Sequence, residues 1–401
     1  MFKIDTNTPA DEINRRIARF QSVLQSLSID GALILQNTDL YYFSGTIQQS
    51  HLYVPAEGEP LLMARKSFER AKAESPLTHI LPLHSPKQIL GLLKDHGLSR
   101  PHRLGLELDV LPTNLYFMYR RIFEGMELAD VSHVIRTQRA IKSEHERTII
   151  TEACRRADQV AAHVTEVIRE GMTEIDLAGQ VEAYARRLGH QGLVRMRSWG
   201  SEMFYGHLLT GASAAVPSYL ASPTGGTAPS PAVAQGAGFT AIARNEPILV
   251  DYVFALNGYL ADHTRIFALG PLPDDLMSAH AAMCDIQEEI KAAAKPGVKA
   301  GYIYDLSMEL AAKTGYSEHF MGVGPQRIRF VGHGIGLELD EYPILAHGQE
   351  MALQEGMIIA FEPKLIFPGK GVVGIENTLL MTDQGFEQLT RYPDEVTVIE
   401  R

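Results

Sequence analysis

Four carboxylates and one histidine in the C-terminal part of the chain are the residues whose types and spacing suggest chemistry. Asp251 and Asp262 lie inside two apolar, β-rich runs, 247–254 and 258–268, separated by Asn257 and Gly258. Asn-Gly between such runs is a strong hairpin signal. A two-residue turn there pairs the strands so that both carboxylates point to one face, at most one diagonal apart. At roughly 5 Å two such charges repel by about 3 kcal/mol, even at an effective dielectric of about 20. A metal ion, a shared proton or a nearby arginine such as Arg265 would each relieve that repulsion.

The run 356–363 reads as a strand with Glu362 near its end, and 374–380 reads as another that contains Glu376. The connection 367–371 is a turn, and a loop centred on Gly369 puts the two glutamates directly opposite. The sequence does not fix that register, and a slip of one residue would send them to opposite faces. Between the two acidic pairs lies His333, with Gly332 and Gly334 on either side. Glycines there permit close backbone approach. A lone histidine is more often structural than a ligand, so His333 gains meaning only beside the carboxylates. Two divalent cations would balance the four negative charges. The oxygen-rich set suits Mn²⁺, with Co²⁺, Fe²⁺ or Zn²⁺ as further occupants. The chemistry this implies is metal-assisted hydrolysis by an activated water.

The elements that must position these groups are legible in outline. A chain of 401 residues fits two domains, or three, and 45% hydrophobic with 21% charged residues is a globular composition. The first third alternates helical patterns (13–27, 87–96, 115–123) with short strands at 31–35, 61–63, 79–83 and 103–107. That alternation predicts a small α/β domain over 1–137, followed by a catalytic domain over 138–401. Ser143 and Glu146 form a capping-box pattern for a helix running to about Glu170, and Thr173 opens another over 173–188. Residues 211–238 turn Gly-, Ala-, Ser- and Pro-rich without periodicity, which reads as either a linker or an active-site loop, the latter favoured by its place before the strongest strand pair. Helices follow at 274–294 and 302–314.

A net charge of −11 argues against a nucleic-acid backbone or an anionic membrane as partner. Only two cysteines, Cys154 and Cys284, favour a reducing compartment. Residues 1–5 lack the apolar core of a signal peptide, and no run has the apolar length of a membrane span. The expected location is cytoplasmic.

The ordered set ILVDYVFALNGYLADHTRIF, VGHGIGLELDEYP, IIAFEPKLIF and VVGIENTLLMTDQG resembles the pita-bread metallopeptidases: Xaa-Pro dipeptidase (prolidase), Xaa-Pro aminopeptidase and methionine aminopeptidase. RTQRAIKSEHERTIITEACRRAD is similar to the family's interdomain segment, and NTDLYYFSGT to the N-terminal domain of prolidase, Xaa-Pro aminopeptidase and creatinase. That N-terminal domain disfavours methionine aminopeptidase, and the intact ligand set argues against creatinase, which shares the fold without the metals. The resemblance implies an α+β pita-bread catalytic domain behind a smaller α/β creatinase-type domain. It makes Asp251, Asp262, His333, Glu362 and Glu376 the ligands of two metal ions, with the two aspartates holding one ion and the histidine completing the shell of the other. It also gives Glu362 a proton-transfer role, makes Thr264 and Asn377 candidates for orienting the ligands, and implies a homodimer.

Three departures bear on the substrate. The family's upstream Pro-His-Gly is matched at best by Pro217-Ser218-Tyr219; its second histidine, seven residues after the metal histidine, is Asp340; an arginine common two residues before the last glutamate is Gly374. His207, Tyr219 and Asp340 are the available replacements for the missing histidines. The leading expectation is cleavage of Xaa-Pro bonds in dipeptides or short peptides. The lost histidines motivate an alternative, hydrolysis or elimination on a small amino-acid-like substrate that is not a peptide. A third, a non-enzymatic binding protein on the same scaffold, is disfavoured by the complete ligand set.

Overall fold

The computed structural model describes residues 6–203 and 205–400. Residues 1–5, read above for targeting, and Phe204, beside the His207 segment, lie outside the described residues. The chain divides into two compact units, Met1–Arg139 and Ala140–Arg401.

The first unit is an α/β domain on one mixed sheet. Its strands are β1 (Gly31–Ile34), β2 (Ser50–Pro55), β3 (Leu61–Ala64), β4 (His79–Pro82), β5 (Arg103–Leu106) and β6 (Glu127–Asp130), in the order β4-β3-β2-β1-β5-β6. Its helices are α1 (Ala10–Ser26), α2 (Asn37–Ser44), α3 (Phe68–Glu74), α4 (Ile89–Asp95), α5 (Thr113–Ile122) and α6 (Ser132–Ala140). Leu33, Tyr53, Met63, Leu104 and Phe123 form the apolar centre. The helix expected over 87–96 begins instead as a 3₁₀ turn at Pro86–Gln88, because Ser85 and Gln88 close a capping box around Pro86 and the α-helix starts only at Ile89.

The second unit is α+β. Helix α7 (Glu144–Val167) begins at Ser143, whose side chain accepts from the Glu146 N–H while Glu146 accepts from the Ser143 N–H. It ends at Val167, earlier than Gly171, where Ile168 turns to an extended conformation. Helix α8 (Glu174–Arg187) is capped in the same way by Thr173 and Asp176. There follow β7 (Gly206–Thr210), the short α9 (Gly211–Ala214), β8 (Ile248–Leu256) and β9 (Tyr259–Leu269). Asn257 and Gly258 form the β8–β9 turn with φ of 48° and 90°, as the sequence predicts. Helix α7 packs across both strands.

Helices α10 (Asp274–Ala293) and α11 (Ala300–Lys313) precede β10 (Phe330–Gly334), β11 (Glu341–Ala346), β12 (Ile358–Phe361), β13 (Lys364–Phe367), β14 (Gly371–Gly374), β15 (Asn377–Thr382), β16 (Gly385–Gln388) and β17 (Thr397–Ile399). They assemble as β11-β10-β12-β15-β16, β13-β14 and β17-β9-β8-β7. Met283, Ile286, Ile290 and Phe320 pack with Val331, Ile359, Phe361 and Leu379 of the strands, each such side chain contributing about 1.5–3 kcal/mol on leaving water. Among the described residues no helix is long and apolar enough to cross a membrane.

Candidate metal centre

Two ribbons carry the acidic residues. In the β8–β9 hairpin Asp251 pairs with Thr264 and Val253 with Asp262, so the two aspartates share one face a single diagonal apart. In the second ribbon β12 pairs with β15 through Phe361 and Asn377, and β13 with β14 through Lys364 and Gly374. The two ladders are in phase, which leaves Glu362 opposite Glu376, the arrangement a turn centred on Gly369 requires. The Thr264 N–H donates to the Glu376 carbonyl and the Glu376 N–H returns to Thr264, at 3.2 and 3.3 Å, stitching the ribbons together at the acidic residues. Strand β10 brings His333 in beside Ala360 of β12. A Cβ on Gly332 would sit 2.5 Å from the Ala360 carbonyl oxygen, and one on Gly334 would strike that of Tyr342, so the glycines around the histidine are there for close packing.

The four carboxylates, His333, His207 and Asp340 line one cavity of about 160 Å³. Its outer wall includes Leu220, Ala221, Ser222 and Gln235, from the glycine- and proline-rich loop. Ligand atoms of Asp262, His333 and Glu376 all lie within 4.8 Å of one another, a spacing one ion can bridge. His333 directs Nδ1 at the Gly334 carbonyl oxygen, 3.1 Å away, which leaves Nε2 for a ligand. Asp262 Oδ1 is buried with no hydrogen-bond partner. A buried carboxylate oxygen in that state is costly unless a cation meets it. These three residues fit a divalent ion.

Asp251 and Glu362 are organised differently. The Lys364 ammonium lies 2.9 Å from Asp251 Oδ2, 2.8 Å from Glu362 Oε2 and 2.8 Å from Glu376 Oε2, and its side chain is 1% exposed. This lysine is the functional residue that the sequence reading missed. Two positions after Glu362 in an extended segment, it faces the same way as that glutamate. The compensating cation is therefore not Arg265, whose guanidinium turns to the other face and bonds the Thr264, Glu376 and Tyr392 carbonyls, Asn377 Oδ1 and Asp394.

Electrostatics follow from this packing. Burial, then the charges of Glu376 and Asp251, push the Asp262 carboxyl well above the usual range. Burial raises Glu376 to about 7, with Lys364 opposing and Glu362 and Asp251 reinforcing. Burial works against the Lys364 ammonium, but Asp251, Glu362 and Glu376 outweigh it and hold the proton well above the ordinary range. For His333, burial lowers the affinity for a proton, and the fields of Asp340, Glu362 and Glu376 more than reverse this.

The predicted accessory residues divide. His207 stands opposite Asp251 across β7 and β8, and Asp340 Oδ1 is 3.8 Å from His333 Nδ1. Tyr219 is not brought in: it is 66% exposed and its hydroxyl donates to the Gly200 carbonyl. Thr264 does orient a carboxylate, donating from its hydroxyl to Glu376 Oε2 at 2.9 Å. Asn377 does not. As the immediate neighbour of Glu376 it faces the other side, where it bonds Gln287, Asp394, Thr390 and Arg265.

A mixed α/β domain precedes an α+β unit that brings a buried Asp–His–Glu cluster, able to hold a metal ion, to one cavity. The chain belongs to metallopeptidase family M24, whose model matches residues 148–383, and carries a creatinase/prolidase N-terminal domain over 16–141; it is an enzyme of the peptidase class. It is 28% identical to an Xaa-Pro dipeptidase of Pyrococcus horikoshii over 96% of this chain and 99% of that protein. It is 26% identical to an Xaa-Pro dipeptidase of Lactobacillus delbrueckii over 95% and 98%. The crystal structure of the prolidase from Pyrococcus horikoshii superposes with a TM-score of 0.79 at 26% identity, covering 95% of this chain and 99% of that one. An Xaa-Pro dipeptidase from Bacillus anthracis shares the fold with a TM-score of 0.81, covering 96% and 99% at 24% identity.

Proposed function

We propose that this chain hydrolyses the amide bond before proline in a dipeptide or short peptide, with a divalent metal held by Asp262, His333 and Glu376. The observation that carries this reading is the convergence of those three residues, with Glu362, on one cavity. When bound, the ion supplies Lewis-acid polarisation of a carbonyl and a water acidified toward neutral pH. Mn²⁺ suits two carboxylates and one imidazole, and Co²⁺, Fe²⁺ or Zn²⁺ would also be accepted. Glu362 lines the cavity and moves the proton between water and the leaving amine. The Gly334 carbonyl orients the His333 ring, with the Asp340 carboxylate 3.8 Å from the same nitrogen, and Thr264 fixes Glu376. The same reading keeps the cytoplasmic location expected from the sequence and the homodimer that the family resemblance implies.

The relatives named Xaa-Pro dipeptidase support proline-containing substrates. One observation favours a second reading. A carboxylate, Asp340, lines the cavity where the family carries a histidine, which suits a small cationic or zwitterionic amide. Release of free proline from a panel of Xaa-Pro dipeptides and longer Xaa-Pro peptides by the Mn²⁺-loaded protein tests the proposal, beside cyclic amidines and betaine-like amides. Proline release that Glu362→Gln lowers by about 10²–10⁴-fold supports it. Turnover of the small amides alone by a loaded protein overturns it.

A further inference from the structure

We infer that Lys364 is a built-in cation that takes the place of one of two metal ions, so that this centre binds a single divalent ion per chain. The inference deepens the proposed function and rests on its metal site. An ammonium has three N–H donors, and here each finds a different carboxylate, at 2.8–2.9 Å. Those oxygens, on Asp251, Glu362 and Glu376, are ones that a second ion would need.

The division of the cluster shows which ion is replaced. By resemblance, the aspartate pair holds one ion and the histidine completes the other. Lys364 sits with Asp251, whereas Asp262 has a buried oxygen with no hydrogen-bond partner and offers a ligand atom within 4.8 Å of those of His333 and Glu376. The cluster thus separates into an ammonium half and a metal half, with Glu376 shared between them.

The ribbon is built to admit the lysine. Its cross-strand partner is Gly374, which offers no side chain to compete for the space. Gly374 has φ of 139°, and a Cβ there would collide with the Pro363 carbonyl and come within 2.7 Å of the Lys364 Cα.

The test is metal stoichiometry on the full chain, stripped with chelator and titrated with Mn²⁺. Bound metal is read by elemental analysis and electron paramagnetic resonance, for the wild type, Lys364→Gly and Lys364→Ala, with circular dichroism confirming that each variant is folded. One ion per wild-type chain with the spectrum of isolated Mn²⁺, rising to two exchange-coupled ions in either folded variant, is the expected result. Two ions in the wild type would overturn the role of Lys364 and leave the metal site standing. One ion in both wild type and folded variants would do the same. No ion in any of them would overturn the metal site as well. Should neither variant fold, the wild type alone decides, since one isolated ion supports the inference and a coupled pair contradicts it.

Discussion

His207 and Asp251 face each other across neighbouring strands, and the imidazole of His207 is held at both ring nitrogens by the loop above the site. Nδ1 lies 2.9 Å from Thr224 Oγ1 and Nε2 3.0 Å from Gln235 Oε1. The histidine is buried, and burial lowers its proton affinity, so it serves as a neutral peg between ribbon and loop. The loop also bonds to itself, Gly236 N–H to Gly225 and Ala228 N–H to Gly236, and its residues wall the cavity.

Removing the peg with His207→Ala costs two hydrogen bonds of about 1 kcal/mol each. The expected outcome is a KM raised roughly tenfold with kcat changed much less, together with faster limited proteolysis within 216–236. Unchanged proteolysis and KM would remove the loop-positioning role.

Lys142 and Glu341 form a buried ion pair at 3.0 Å, with side chains 1% and 5% exposed. The other carboxylate oxygen, Oε1, accepts the N–H groups of Leu337 and Glu338, which closes the turn between His333 and Asp340. Lys142→Met takes the ammonium away from a buried carboxylate and should destabilise the chain by about 3–5 kcal/mol in urea unfolding. Because the same turn sets Asp340 beside His333, metal affinity should fall too. A loss below about 1 kcal/mol would mean the pair is not organised as described.

Acid sensitivity has an identifiable source in His190. Its Nε2 donates to the Val253 carbonyl at 3.0 Å and its Nδ1 accepts the Gly192 N–H at 2.8 Å, an arrangement only the neutral ring can make. Burial, opposed by the Val253 bond and aided by Arg186, lowers the group from 6.5 to about 4. Its contribution to stability is therefore complete above about pH 6.5 and is lost as pH falls through about 4, with an upper size of roughly 3 kcal/mol. In His190→Gln the slope of unfolding free energy against pH should flatten across that window. A slope equal to that of the wild type would place the acid sensitivity elsewhere.

Much of this centre was legible because strands have a period of two. Asn257-Gly258 fixes the turn, the turn fixes the register, and parity then puts Asp251 and Asp262 on one face. Glu362 and Glu376 needed a turn centre that composition does not specify, and Gly369, with φ of 78°, supplies it. The same parity would have found Lys364, a charged residue at the head of the apolar run Lys364-Leu365-Ile366-Phe367 and in phase with Glu362. It would equally have excluded Asn377, out of phase with Glu376. Tyr219 was misplaced for a different reason: an aperiodic loop carries no rule that links sequence position to direction, and only long-range contacts such as those of His207 determine where it lies.

The most direct measurement is a crystal of the Mn²⁺-loaded protein with anomalous difference maps on either side of the manganese edge. The account predicts one strong peak in each chain, within coordinating distance of Asp262, His333 and Glu376, and Lys364 still bonded to Asp251. An edge-dependent peak elsewhere on the chain, with none among those three residues, would contradict it.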